Sequence, residues 1–369
     1  MRHSVSKNFI KSYKQPPKMR SISEIQNFEG QKVLVRVDWN VPHDNEKILD
    51  TSRIDVTLET IRWITERNGS VIIISHFGRE GESMENLSKL VAEILPLKFI
   101  GNPFNENGKM QISIIKPGEI VVLENIRTWP EEEKDDDEFA KQLASLGNIY
   151  VNEAFSASHR KHASIVGLPK YLPSFSGLYF IKETENLSKA FDPKHPFFFI
   201  LGGAKLETKL PLVKNFLDMA DDIFIGGALA KPALETELSK NSKIILPVGD
   251  AGALDANRET LDVIIEKANK AKFILWAGPL GKYEDGFTKG TNELALSLAK
   301  IVEEKEVEII IGGGDTEKCI SSLNIKEKFA WVSLAGGAML EFLTNRTLPG
   351  IEALDAGLGP RLTVGQVRA

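Results

Sequence analysis

A single cysteine, Cys319, stands in 369 residues, so no internal disulfide framework is available and a reducing compartment is expected. No apolar run approaches the 18 or more residues of a membrane span. The basic opening MRHSVSKNFIKSYKQPPKMR lacks the apolar segment of a secretory signal and reads as a solvated terminus without an assigned role. Lys and Arg form no stripe and the formal net charge is −5, which argues against nucleic acid as the main partner. Long heptad repeats are missing too, leaving a monomer as the default. These absences describe a soluble cytoplasmic protein, with no membrane and no nucleic acid among its expected partners. Its 42% hydrophobic and 26% charged residues are ordinary globular composition, and its length exceeds what one core usually serves, so two domains are expected.

Short Val/Ile-rich runs alternate with helix-type segments such as residues 52–69, 86–95 and 137–147. That alternation predicts βαβ units, hence an α/β fold of two Rossmann-like, doubly wound parallel-sheet domains. The segment GLYFIKETENLSKAFDPKHP (177–196) has apolar positions at helical spacing before Pro193 and Pro196, and it predicts a hinge helix with its linker. The expected division is 1–176, the connector 177–196, a second domain 197–354 and a tail 355–369. The acidic run EEEKDDDE (131–138) reads as the solvated start of a helix rather than a metal cluster.

An open parallel sheet binds ligands beyond the carboxyl ends of its strands, so the way the runs end is informative. In the first half they end on VRVDWN (35–40), ISHFGR (74–79), LENIR (123–127) and NEAFSASHR (152–160). Arg36, Asp38, Asn40, Arg53, His76, Arg79, Arg127, His159, Arg160 and His162 are thereby gathered at strand ends. Guanidinium forks bind phosphate and carboxylate oxygens bidentately, and a small polyanion suits such a set. Any one arginine taken alone reads more simply as a surface ion pair, and it is the shared location at strand ends that shifts the reading. Asp38 and Asn40 either cap a turn or accept from a ligand hydroxyl.

In the second half the runs end at small-residue turns: ILGGAK (200–205), IFIGGAL (223–229), WAGP (276–279), IIGGGDT (310–316) and SLAGGA (333–338). Glycines let backbone approach a phosphate, whose charge the helix dipole stabilises. Neither GGAKLETK nor GGGDT has the GxxxxGK[ST] or GxGxxG spacing, which argues against a P-loop and against a dinucleotide-dependent dehydrogenase. Lys205 and Lys209 lie one helical turn apart, either as a phosphate-facing pair or as surface lysines. Asp315 reads as a helix N-cap or as a Mg²⁺ ligand beside a phosphate.

The ordered set RVDWNVP, TSRI, SHFGR, LENIR, EEEKDDDEFAKQLASLGNIYVNEAF, SHRKHAS, GGAK, GPLGKYE, GGGDT and LPGIEAL resembles phosphoglycerate kinase over roughly residues 24 to 355. The resemblance implies phosphoryl transfer from 1,3-bisphosphoglycerate to MgADP, giving 3-phosphoglycerate and MgATP. It assigns the triose substrate to Asp38, Asn40, Arg53, His76, Arg79, Arg127 and Arg160. It assigns the nucleotide to Gly203, Lys205, Lys209, Gly227, Gly278, Glu284, Gly313, Gly314, Asp315 and Thr316, with Mg²⁺ on Asp315. Arg53, Lys205, Gly314 and Gly337 are the residues it implies in catalysis.

Departures from the family pattern cluster in the second half. Ala277 replaces an asparagine, Leu334-Ala335-Gly336-Gly337 stands for a TGGG turn, and residues 244–260 are shorter than their counterpart, as if a peripheral hairpin had gone. In the first half, Glu153-Ala154-Phe155-Ser156-Ala157-Ser158-His159 replaces Asp-Ala-Phe-Gly-Thr-Ala-His. An Ala335 that needed positive φ would weaken the phosphate cradle. A non-catalytic module that binds the anion but has lost its nucleotide is the alternative these changes suggest.

Overall fold

The computed structural model describes residues 19–44, 46–78 and 82–355. Packing groups residues 19–185 and 348–355 into one unit and 186–347 into another. Arg79, residues 1–18 and residues 356–369 of the tail lie outside the described residues.

The first unit holds β1 (Lys32–Arg36), β2 (Ser70–Ile74), β3 (Lys98–Ile100), β4 (Ile120–Leu123), β5 (Ile149–Asn152) and β6 (Ser174–Ser176). They form one sheet in the order β3-β4-β2-β1-β5-β6, with every pairing parallel. Helices α1 (Ser52–Thr65), α2 (Met84–Val91), α3 (Glu106–Ser113) and α4 (Asp137–Ala144) are among the crossovers. A parallel sheet covered on both faces needs strands that are apolar throughout, which is why VIII in β2 and IVVL in β4 are continuous rather than alternating. The strand order reverses between β1 and β5, so the crevice for a ligand opens at their carboxyl ends. The strands β3 and β6 lie outside the apolar runs that the sequence marks.

Part of the acidic run departs from its expected role. Asp136 caps α4 by accepting from the Phe139 N–H at 2.9 Å, and Asp137 and Glu138 occupy the first turn as the helix dipole favours. Glu132, four residues earlier, is fully buried instead of solvated, because Ser164 supplies it with two hydrogen bonds.

Helix α5 (Leu178–Ser188) lies within the 177–196 stretch read as helix and linker, and a 3-10 turn at Lys189–Phe191 follows it. Its start is fixed by Glu153, the first residue after β5. The buried Glu153 carboxylate accepts from the Tyr179 N–H at 3.1 Å, the Phe180 N–H at 2.9 Å and the Thr60 hydroxyl, while Thr60 accepts from Leu178 N–H at 2.8 Å.

The second unit holds β7 (Phe197–Leu201), β8 (Asp222–Ile225), β9 (Ile244–Ile245), β10 (Phe273–Ala277), β11 (Glu308–Gly312) and β12 (Trp331–Val332). The order β12-β11-β10-β7-β8-β9 is again parallel throughout, with its reversal between β7 and β10. Flanking helices are α6 (Leu206–Leu217), α7 (Ala230–Leu234), α8 (Arg258–Ala268), α9 (Lys289–Glu304), α10 (Gly314–Ser322) and α11 (Gly337–Asn345). The expected end of this domain at 354 is corrected. Helix α12 (Pro349–Asp355) packs with the first unit, where the Gly350 N–H donates to the Ser158 carbonyl at 2.9 Å. A Cβ at Gly350 would fall 2.6 Å from the Ser158 side chain, so the approach requires glycine.

Burial pushes the Glu153 carboxyl up to about 7, against its hydrogen bonds to Thr60, Phe180 and Tyr179. The native state therefore holds a proton that the unfolded chain has released, and this group's contribution to stability falls as pH rises from about 4.5 through about 7. Urea unfolding at pH 5, 6, 7 and 8 is expected to show that decline in the parent and not in Glu153→Gln. Parallel pH profiles in the two proteins would refute it.

Candidate functional site

At the β1/β5 reversal the centre is Asp38. Its carboxylate accepts from Arg53, the first-turn arginine of α1, and from the Ser156 hydroxyl beyond β5. The Asn40 N–H also reaches it at 3.4 Å, so Asp38 shapes its own turn as well as facing the arginines. Burial raises its affinity for a proton, but Arg53, His76, Ser156 and Arg36 outweigh that and hold the carboxyl at about 2. Asn40 accepts from the Gly78 N–H at 3.2 Å, which ties the loop after β1 to the loop after β2. Arg127 donates to the Gly78 carbonyl at 3.3 Å.

Around this centre sit His76, His159, Arg160 and His162. Burial together with neighbouring guanidinium groups lowers all three histidines, His76 to about 3 and His162 to about 4, so they stand uncharged among arginines near neutral pH. Donors without excess carboxylate are what a small polyanion requires. Asp38, Asn40, His76, Arg127 and Arg160 thus fall in the same loop cluster, as their strand-end positions suggest, and Arg53 joins them from the first turn of α1 rather than from a strand end.

Three residues outside that set hold it in shape. Asn125, fully buried, accepts from the Phe77 and Arg127 N–H groups and donates to the carbonyls of Phe77 and Glu82. Glu132 and Ser164 hold Arg36, whose Nε donates to Ser164 Oγ at 2.9 Å. The only hint in the sequence is that all three lie inside marked motifs, Asn125 in LENIR, Glu132 in the acidic run and Ser164 at the end of SHRKHAS.

At the β7/β10 reversal, the turns after β7, β10 and β11 are drawn together by backbone. The Gly203 N–H donates to the Pro279 carbonyl at 2.8 Å and the Gly278 N–H to the Gly312 carbonyl at 3.3 Å. Gly278, at φ +91°, would carry a Cβ 2.6 Å from the Gly202 carbonyl oxygen, and Gly313, at φ +101°, one 3.2 Å from the Gly278 nitrogen. Only glycine permits both the torsion and the approach. Beyond these turns begin α6, α10 and α11, capped by Lys205, Gly313 and Gly336 and presenting unpaired N–H groups.

The lysines differ from a simple helical pair. Lys205 precedes the helix with left-handed backbone, φ 63°, and its side chain is exposed, whereas Lys209 reaches back to the Gly202 carbonyl at 2.8 Å. Burial lowers Lys209 to about 8. The helical-face argument fails because Lys205 lies outside the helix. Asp315 is not the N-cap either: Gly313 is, and Asp315 lies in the first turn with Lys318 Nζ at 3.2 Å.

Thr316, the next residue, is fully buried and its hydroxyl has no hydrogen-bond partner. A native core rarely leaves such a group unmatched, so its position beside Gly313 fits a ligand oxygen. Ala335 needs no positive φ, since Gly336 supplies it at 55°, and the Ala335 N–H donates to Ser333 Oγ at 3.2 Å. Glu284 is exposed on a 3-10 turn beyond β10. A recess lined by Phe224, Gly227, Pro247, Val248, Ala253 and Leu280 flanks the glycine turns and was not anticipated from sequence.

Among the described residues no helix is long and apolar enough to cross a membrane, and no group of three or more His, Cys, Asp or Glu could hold a metal.

The phosphoglycerate kinase family model matches residues 22–243 and 232–346. A phosphoglycerate kinase of Finegoldia magna is 37% identical over 89% of this chain and 97% of its own length. One of Coprothermobacter proteolyticus is 37% identical over 91% and 99%. Solved phosphoglycerate kinases of Pyrococcus horikoshii and Coxiella burnetii superpose with TM-scores of 0.81 and 0.77 at 26% and 29% identity. They cover 92% and 91% of this chain and 99% of their own. Two parallel six-stranded sheets, an arginine cluster at one strand reversal and a glycine cradle at the other accord with these matches: the chain belongs to the phosphoglycerate kinase family and is a kinase.

Proposed function

We propose that the enzyme moves the acyl phosphate of 1,3-bisphosphoglycerate to MgADP and runs the same transfer in reverse from 3-phosphoglycerate and MgATP. The observation that supports this most is the pairing of chemistries: a donor-rich cluster around Asp38 at one strand reversal, and backbone N–H groups with Lys205, Lys209 and Thr316 at the other. The first suits a small anion with hydroxyl and carboxylate groups, the second a polyphosphate. Asp38, Asn40, Arg53, His76, Arg79, Arg127 and Arg160 bind the triose substrate in this reading. Glycines 203, 227, 278, 313 and 314 with Lys205, Lys209 and Thr316 bind the nucleotide phosphates. The recess beside Gly227 seats the base, and Glu284 accepts from a ribose hydroxyl.

Phosphoryl transfer asks little covalent chemistry of a protein and much positioning and charge neutralisation. No general base is needed, since the reacting oxygens are already a carboxylate and a phosphate. Arg53 and Lys205 offset charge on the equatorial oxygens of the moving group, with the N-terminal amides Gly314 and Gly337 contributing from α10 and α11. A single carboxylate is the right complement for Mg²⁺, which is usually held by one or two carboxylates and the substrate's own phosphates. Asp315 would provide it, and the ion would supply charge neutralisation at the phosphates. The alternative of a module without nucleotide chemistry is not favoured, because the family match runs across both units and Ala335 causes no backbone conflict.

A coupled assay with 3-phosphoglycerate and MgATP is expected to show turnover. Arg53→Ala and Lys205→Ala should each lower kcat on the order of a hundredfold, as loss of a transition-state donor does. A folded parent without turnover, or variants affected only in KM, would defeat the assignment. Thr316→Val gives an independent reading of the phosphate seat. Removing an unmatched buried hydroxyl should raise the free protein's stability by about 1 kcal/mol while weakening MgATP binding several-fold. Calorimetry and thermal unfolding of the same variant check both signs, and a destabilised variant with unchanged nucleotide affinity would contradict them.

A further inference from the structure

Arg36 closes β1, its whole side chain is buried, and each of its nitrogens has a partner. Nε donates to Ser164 Oγ at 2.9 Å, Nη1 to the Val37 carbonyl, and Nη2 lies 3.3 Å from His76 Nδ1. Ser164 passes the contact on, donating its hydroxyl to Glu132 at 2.5 Å and its N–H to the other carboxylate oxygen at 2.8 Å. The chain of contacts therefore runs Glu132, Ser164, Arg36, His76, across four separate stretches of sequence.

A guanidinium has five N–H donors and no acceptor, so the contact with His76 is possible only if Nδ1 offers its lone pair. The ring proton is then on Nε2. A second partner would select the opposite state: Asp38 Oδ1 lies 3.7 Å from the same Nδ1 and could accept from an Nδ1–H. Distance favours Arg36, and Asp38 is already engaged by Arg53 and Ser156. Burial does most to disfavour a second ring proton, and Arg36, Arg127 and Arg160 add to it against Asp38, which favours one.

We propose that Arg36, braced by Ser164 and Glu132, is a positioning residue that holds His76 in its Nε2–H tautomer, so that the ring presents a donor to the anionic triose substrate. The tautomer stands on geometry alone; its consequence for the substrate rests on the function proposed above. Arg36 acts through His76, and among the described residues its buried charge is compensated through a serine rather than by direct contact with a carboxylate.

Two-bond ¹H–¹⁵N spectra of the uniformly labelled, ligand-free protein read the tautomer without reference to activity. The His76 ring is expected to show the Nε2–H pattern with no titration between pH 5 and 8. An Nδ1–H pattern, or a ring that protonates in that range, overturns the proposal. Ser164→Ala, a smaller change than loss of Arg36, should yield a mixture of tautomers and raise the KM for 3-phosphoglycerate on the order of fivefold, with kcat changed less. Ser164→Thr should restore both. A folded Ser164→Ala with the parent tautomer and parent KM would overturn the bracing role. Turnover absent from a parent that shows the Nε2–H pattern would instead count against the kinase reading and leave the tautomer in place.

Discussion

A guanidinium buried at the end of a central strand has to be answered, and the arrangement of the first unit follows from that need. Arg36 sits in the middle of a six-stranded sheet, paired in register with Ile74 and Asn152. An uncompensated ion there would cost several kcal/mol. The compensation is shared: Glu132 through Ser164, Asp38 nearby, a carbonyl and a histidine nitrogen. Val37 and Asp38 follow β1, His76 follows β2, Glu132 follows β4 and Ser164 follows β5. Satisfying one charge therefore fixes where the loops after β1, β2, β4 and β5 stand with respect to one another.

The same economy of charge explains the protonation of the cluster. Burial and the guanidinium groups together keep His76, His159 and His162 uncharged, while Asp38 stays ionised because Arg53 and the Ser156 hydroxyl meet it. The surface so made is rich in donors. In the second unit the equivalent work is done by backbone. Glycine turns with φ near 90° bring strand ends within hydrogen-bond distance and leave helix N-termini uncovered, and the half-buried Lys209 beside them has no carboxylate partner among the described residues. One unit meets anions with side chains and the other mainly with amides, which accords with the different sequences at their strand ends.

The long apolar runs gave β1, β2, β4, β5, β7, β8, β10, β11 and β12, since a strand buried on both faces leaves a continuous signature. The short β3 and β6 left none. The acidic run was read by charge alone, and charge does not distinguish Asp136, a cap at the surface, from Glu132, sealed beneath it. Lys205 and Lys209 were paired by helical spacing, but the left-handed backbone at Lys205 breaks the period on which that argument rests.

The amino-acid order by itself determined the layered α/β class, the two sheets, the family and the residue types at each strand end. All of these depend on local periodicity and on contiguous motifs. Only the folded chain decided that β1 and β5, and β7 and β10, are neighbours at the reversals of strand order, and so that Asp38 meets Ser156 and Gly203 meets Pro279. It also decided that α12 returns to the first unit and that Glu132 serves Arg36 through Ser164. These are pairings between residues from 32 to about 190 positions apart, set by which groups remain unsatisfied when the sheets close, and no local pattern records them.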